Sequence, residues 1–239
     1  MPSLFLSPEF FISNKPIITG EKARYLSKVL RLKPGDFISL FDGQGSRYRA
    51  ECVQFTGKKV LVRITSKEAD CDKPSPLIIL AQAILKGQKM DFVIQKATEL
   101  GANRVFPLVT ERTEVRTTAK HSRWQKIAQS ASEQCGRFQI PVIEPLINIQ
   151  DFVEQFKPGI LFWEGEAVGH LKKTLNQITG QELIILLLGP EGGFSKAEVD
   201  MAKSQLYQSA SLGPRTLRAE TATIAALSIV QYELGDLSK

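Results

Sequence analysis

The chain reads as an α/β protein with a mostly parallel sheet carrying helices on both faces, preceded by a small β-barrel. Three observations carry that reading. From residue 77 onward, short apolar runs alternate with amphipathic helical stretches, the pattern of strand–helix–strand units. The run Leu183–Leu188 is unbroken, apolar and closed by Gly189-Pro190, as expected of a strand buried on both faces. Before residue 70 the chain is instead strand-rich with closely spaced turns. A polar stretch with two prolines, residues 68–76, separates the two patterns and sets the expected domains at 1–72 and 73–239.

In the first domain, residues 37–41 and 48–55 flank Asp42-Gly43-Gln44-Gly45, a hairpin signal, and a further strand is expected at 59–64 after Thr56-Gly57. One helix is expected, residues 21–30, with Ala23, Leu26, Val29 and Leu30 spaced for one face. In the second domain strands are expected at 77–84, 104–109, 142–144, 160–163, 183–188 and 209–212. Helices are expected at 89–100, 122–135, 168–178, 196–207 and 221–234. The first of these has an apolar stripe of Met90, Val93, Ile94, Ala97 and Leu100, with Gly101 as its stop.

Composition bounds the partners. With 239 residues, 43% of them hydrophobic, the chain can bury one or two cores. Its apolar runs fall far short of the ~20 residues a membrane helix needs. The start, Met1-Pro2-Ser3-Leu4-Phe5, lacks a signal-peptide pattern, so a cytoplasmic protein with no membrane association is expected. Three cysteines (Cys52, Cys71, Cys135) without ligand spacing and two histidines (His121, His170) argue against a disulfide framework and a metal centre.

The net charge is +6. Residues 1–72 hold 12 Lys+Arg against 8 Asp+Glu, and residues 73–239 hold 19 against 17. Arg104, Arg112, Arg116, Lys120, Arg123, Lys126 and Arg137 outnumber Glu111, Glu114 and Glu133 within residues 104–137. A polyanionic partner and an ordinary solvated surface both fit that excess.

The most informative segments are two glycine-proline loops. In the first, Leu186 to Ser195, Gly189, Gly192 and Gly193 let backbone approach a ligand where a Cβ would clash. Ser195-Lys196-Ala197-Glu198 then forms a capping box opening a helix. Strand, glycine loop and capped helix place a ligand at the carboxyl end of a sheet strand. The loop has neither the lysine of a phosphate-binding P-loop nor the G-x-G-x-x-G spacing of dinucleotide enzymes. The second loop, Leu212-Gly213-Pro214-Arg215-Thr216-Leu217-Arg218-Ala219-Glu220-Thr221-Ala222, repeats the strand–loop–helix order.

These two loops, with Lys86-Gly87-Gln88-Lys89-Met90-Asp91 and Gln95-Lys96-Ala97-Thr98-Glu99-Leu100-Gly101 upstream, resemble the SPOUT class of methyltransferases. Within it the chain is most similar, over essentially its whole length, to bacterial enzymes that methylate ring nitrogen N3 of a uridine in small-subunit (16S) ribosomal RNA. The resemblance implies a C-terminal trefoil knot, a PUA-like RNA-binding barrel, S-adenosylmethionine as cofactor, and a homodimer. It also implies a 16S ribosomal RNA or small-subunit substrate.

Under that resemblance, Leu188, Gly189, Gly192 and Gly193 supply backbone from one loop, and Leu212, Gly213, Leu217 and Ala222 from the other. Glu191 meets a ribose hydroxyl or the cofactor's amino group, or else faces water. The imide N3–H must lose its proton as transfer proceeds. Glu220 is the candidate acceptor, although a carboxylate at a helix N-terminus is favourable in itself. Arg218 would face the developing anion, and Arg215 a phosphate. The segment Ser132-Glu133-Gln134-Cys135-Gly136-Arg137 also matches, with Glu133 a candidate at the target base and Arg137 at RNA. Cys135 is expected to be dispensable, since nitrogen methylation needs no covalent adduct.

Further RNA contacts are expected from Arg24, Lys28 and Arg31 on the barrel helix and from Arg112 and Arg123. The face of the last helix bearing Ala222, Ala225, Ala226, Ile229 and Val230 can pack inside its own domain or against a second subunit. Alternatives are a non-catalytic RNA-binding protein, a transfer-RNA methyltransferase of the same class, and a nucleotide-dependent hydrolase or oxidoreductase.

Overall fold

In the computed structural model, whose described residues are 1–12, 16–69, 76–165 and 171–238, contacts divide the chain into two compact units. The first comprises Met1–Lys73 together with Ser132–Ile140, and the second Pro74–Ala131 together with Pro141–Lys239. The expected boundary between residues 72 and 73 lies outside the described residues. The stretch Ser132–Ile140, which a linear boundary assigns to the second domain, belongs by its contacts to the first unit.

The first unit is a curled sheet of strands β1 (Ser3–Phe5), β2 (Ile17–Thr19), β3 (Phe37–Phe41), β4 (Ser46–Thr56) and β5 (Lys59–Ala69), in the order β1-β3-β4-β5-β2. β1 runs parallel to β3, and the other pairings are antiparallel. The β3–β4 hairpin turns where Asp42 Oδ1 accepts from the backbone N–H groups of Gln44 (2.8 Å) and Ser46 (3.0 Å). Register shifts beside Arg49 and Cys52 bend the long β4–β5 ribbon, as bulges do. Leu40, Ala50, Cys52, Val60 and Val62 are thereby directed onto one core with Ala23 and Leu26.

The helix expected at 21–30 is shorter and changes pitch. α1 spans Gly20–Arg24, and a π turn spans Tyr25–Val29, closed by the Leu30 N–H donating to the Tyr25 carbonyl. The extra residue in that turn rotates the side chains beyond it about the helix axis. Ala23 and Leu26 remain buried as expected, while Val29 is solvent-exposed, correcting its place on the apolar face. β1 and β2 were not anticipated, because three residues are too few to show a period.

The second unit is an all-parallel sheet of β6 (Leu77–Ala83), β7 (Arg104–Val109), β8 (Val142–Ile143), β9 (Ile147–Asn148), β10 (Gly159–Phe162), β11 (Leu183–Leu188) and β12 (Tyr207–Ala210). Its order is β12-β10-β11-β6-β7-β8, with β9 also pairing β7. The helices are α2 (Lys89–Glu99), α3 (His121–Cys135, its last turn in the first unit), α4 (Ile149–Gln155), α5 (Leu171–Gln177), α6 (Lys196–Ser204) and α7 (Ala219–Leu234). β11 is central and buried from Ile184 to Leu188, as its unbroken apolar run predicts. One core packs Phe106, Phe152, Leu161, Leu187, Phe194, Val199 and Tyr207. No described helix is long and apolar enough to cross a membrane.

The boundary between α6 and β12 differs from expectation. The helix predicted to reach residue 207 ends at Ser204. Leu206 takes φ +68°, and Tyr207 opens β12 because its ring fills the core while its hydroxyl donates to the Phe156 carbonyl. β9 and α4 were missed because both are short. Residues 168–170, where a helix start was expected, lie outside the described residues.

Gly101 ends α2 as anticipated, at φ +85°. A Cβ there would collide with Gln231 Nε2, which donates to the Leu100 carbonyl. This contact ties the end of α2 to α7. α7 buries Thr223, Ala226, Leu227, Val230 and Gln231 within the unit, while Ile229 and Tyr232 stay exposed. Register then prepares the site: Leu188 lies opposite both Gln82 and Phe162, and Phe162 lies opposite Ala210. The chain therefore leaves β6, β10, β11 and β12 along a single sheet edge.

Candidate cofactor site

At that edge the two glycine-proline loops enclose a cavity of about 920 Å³. Leu188, Gly189, Glu191 and Gly193 line it from the first loop, and Leu212, Gly213, Leu217 and Ala222 from the second. Among the expected cofactor residues only Gly192 stays off the wall. Its carbonyl accepts instead from Arg112 Nη1 at 2.8 Å. Arg215 and Arg218 also line the cavity.

The first loop is held from every side. Beneath it, fully buried Gln82 donates through Nε2 to the carbonyls of Ala83 (3.0 Å) and Gly189 (3.2 Å), and its Oε1 accepts from Thr223 Oγ1 of α7 at 2.5 Å. Gly193 turns the chain at φ +66°, with its N–H on the Pro190 carbonyl. The capping box is present: Glu198 N–H donates to Ser195 Oγ (3.3 Å) and Ser195 N–H to Glu198 Oε2 (2.9 Å). The second oxygen of Glu198 accepts from the Glu111 N–H at 2.7 Å, so this carboxylate is buried yet satisfied.

Glu191 Oε1 accepts from the Lys86 N–H and from Lys89 Nζ, both at 3.1 Å. Partial burial works to raise the Glu191 pKa. Backbone N–H donors and the Lys89 ammonium outweigh it and hold the carboxyl below its ordinary value.

The second loop is looser. Ser211 Oγ bonds the Gly213 backbone, and Arg218 is the N-cap of α7 without a side-chain cap bond. Gly213, Pro214, Arg215, Thr216 and Arg218 are all exposed.

Of the expected catalytic groups, Arg218 reaches the cavity wall. Glu220 sits on the first turn of α7, behind the lining, with Oε2 buried and without a hydrogen-bond partner among the described residues. Glu133 belongs to the first unit, where its Oε1 accepts from the Phe5 N–H at 3.0 Å. Arg24, Lys28 and Arg31 are exposed on the first unit, and Arg137 is partly buried there. Arg123 pairs with Asp91 at 2.8 Å, so it and Arg112 are already engaged within the second unit. Cys135 is exposed, with its thiol toward the Ser132 carbonyl.

The cavity has walls that residue-type reasoning missed: Phe162, Trp163 and Glu164 after β10, Leu171 and Lys172 of α5, and Lys89 of α2. Trp163 and Lys89 come after strand ends, and the rule that placed the glycine loops applies to them equally.

Residues 72–231 match the RNA methyltransferase domain family, and residues 18–65 match the RNA methyltransferase PUA domain. The chain belongs to this RNA methyltransferase family. Relatives in the family include ribosomal RNA small subunit methyltransferase E of Buchnera aphidicola subsp. Schizaphis graminum, 31% identical over 100% of this chain and 98% of its own. The Bacillus subtilis protein of that name is 29% identical, covering 90% of this chain and 89% of its own. Among solved structures, ribosomal RNA small subunit methyltransferase E of Neisseria gonorrhoeae, bound to S-adenosyl methionine, superposes with a TM-score of 0.89. It is 30% identical and covers 99% of both chains. The family resemblance read from the two loops therefore holds over both units.

Proposed function

We propose that this chain is an S-adenosylmethionine-dependent methyltransferase that acts on ring nitrogen N3 of a uridine in 16S ribosomal RNA within the small ribosomal subunit. The observation that carries the proposal is the cavity formed by both glycine-proline loops at one sheet edge.

The residues present suit that cofactor. Gly193 holds φ +66°, which L side chains rarely adopt, and at Gly189 a Cβ would lie 3.3 Å from the Phe194 ring, so glycine suits the cradle at both positions. Glu164 and Glu191 bring negative charge to a cationic ligand. Leu188, Leu212, Leu217 and Ala222 offer apolar contact to an adenine, and Gly189, Gly193 and Gly213 offer backbone.

When bound, the cofactor supplies the sulfonium methyl that the uridine nitrogen takes. The protein's own task is to ready that nitrogen. Glu220 accepts the N3 proton, and the Arg218 guanidinium faces the negative charge that develops on the imide. Arg24, Lys28, Arg31 and Arg137 are assigned to RNA on the first unit and Glu133 to the target base, and Arg112, Arg123 and Arg215 to RNA on the second. The exposed side of α7, with Ile229 and Tyr232, fits a homodimer contact. A trefoil-knotted C-terminal segment and a cytoplasmic location complete the reading.

Nucleosides from small subunits lacking the modification, incubated with the protein and S-adenosylmethionine, test the proposal by mass spectrometry. Appearance of 3-methyluridine is expected. A different methylated nucleoside would overturn the N3 assignment and keep the enzyme class. Absence of both methylation and cofactor binding would overturn the proposal.

A further inference from the structure

We infer that Lys89 is a positioning residue for methyl transfer, its ammonium holding the Glu220 carboxylate ready to take the N3 proton. The inference rests on the reading of Glu220 as the proton acceptor. Lys89 comes from neither glycine loop. It is the first residue of α2 and lines the cavity, with Nζ between two carboxylates: 3.1 Å from Glu191 Oε1 and 3.9 Å from Glu220 Oε2.

The two partners differ in what they need. Glu191 has a backbone donor as well as Lys89. The Oε2 of Glu220 is buried, and the described residues offer it no hydrogen bond, so its charge is met by Lys89 and by the N-terminus of α7. A buried carboxylate oxygen in that position costs free energy unless a counter-charge or a proton reaches it. Here the counter-charge is the Lys89 ammonium.

At 3.9 Å the Lys89 ammonium meets the charge on the buried Oε2 through space, and the other carboxylate oxygen, Oε1, is the one assigned to receive the proton.

The test is a double-mutant cycle on the full-length protein with small subunits as substrate. It uses Lys89→Met, Lys89→Arg, Glu220→Gln and the Lys89→Met/Glu220→Gln pair. Circular-dichroism thermal melting verifies that each variant is folded, and rates are read at saturating S-adenosylmethionine. Expected are a roughly 10-fold lower kcat for Lys89→Met, substantial rescue by Lys89→Arg, and a double variant no slower than Glu220→Gln alone. Additive losses, or failure of arginine to rescue, would overturn the inference in favour of a purely structural ion pair. A fully active Lys89→Met beside an impaired Glu220→Gln would overturn the role of Lys89 alone. A fully active Glu220→Gln would overturn the proton-acceptor reading and the inference with it.

Discussion

The two loops share Leu-Gly-Pro and line one cavity, yet they are held to different degrees. The first is fixed by Gln82 from below, by Arg112 on the Gly192 carbonyl, by Lys86 and Lys89 on Glu191, and by a complete capping box behind it. The second has a serine–glycine contact and an N-cap residue that makes no side-chain cap bond. The first is thus a preformed cradle, while the second leaves its polar groups to solvent until a ligand engages them. Preorganisation on one wall lowers the ordering cost of binding, and freedom on the other lets a large substrate enter.

The largest expected effect comes from breaking the rigid wall at its tightest turn. Gly193→Val should weaken S-adenosylmethionine binding about 10- to 100-fold by calorimetry, since a β-branched residue at positive φ costs on the order of 1–3 kcal/mol. Gly213→Val is strained as well, at φ +112°, but with nothing within 4 Å of the added Cβ and few bonds holding the loop it can relax, and the loss of binding should be smaller. Equal losses at the two positions would erase the distinction between the loops.

Next is the buried link. Gln82→Met leaves the Gly189 carbonyl and the Thr223 hydroxyl without their shared partner, and about 1–3 kcal/mol of stability should be lost in denaturant unfolding. Thr223→Ser should keep the link, whereas Thr223→Val should lose it. Ser195→Ala removes one cap bond and should cost about 1 kcal/mol in the same measurement.

The smallest effect is electrostatic. Because Glu191 has a lowered folded pKa, its contribution is present above the ordinary carboxylate pKa and disappears as pH falls through the depressed value. Between neutral pH and about pH 4, thermal melting of the wild type relative to Glu191→Gln should hold its advantage, and the two curves should converge below that. An advantage that grew on acidification would contradict the assigned direction. Amide hydrogen exchange sharpens the comparison without mutation. On cofactor binding, residues 213–218 should gain more protection than residues 189–194.

Much of this molecule was legible in the chain alone, for local physical reasons. An unbroken run of six apolar residues between turn signals suits a strand covered on both faces, and β11 is that strand. Ser195 and Glu198 form a capping box because spacing alone brings their side chains to each other's backbone. Gly101 and Gly193 mark positive-φ turns that other residues resist. Two such loops were enough to locate most of the cavity wall.

What only the tertiary structure decided depends on residues far apart in sequence. Lys89 and Trp163 stand after strand ends, but only parallel register brings the ends of β6, β10 and β11 to one edge and so puts both residues on one wall. Gln82 looks like one polar residue in an apolar strand until Gly189 and Thr223 are placed beside it. The early start of β12 at Tyr207 results from packing against distant partners. Spacing records how a side chain repeats along one element. The buried hydrogen bonds and cavity walls that make the site arise only when separate elements meet.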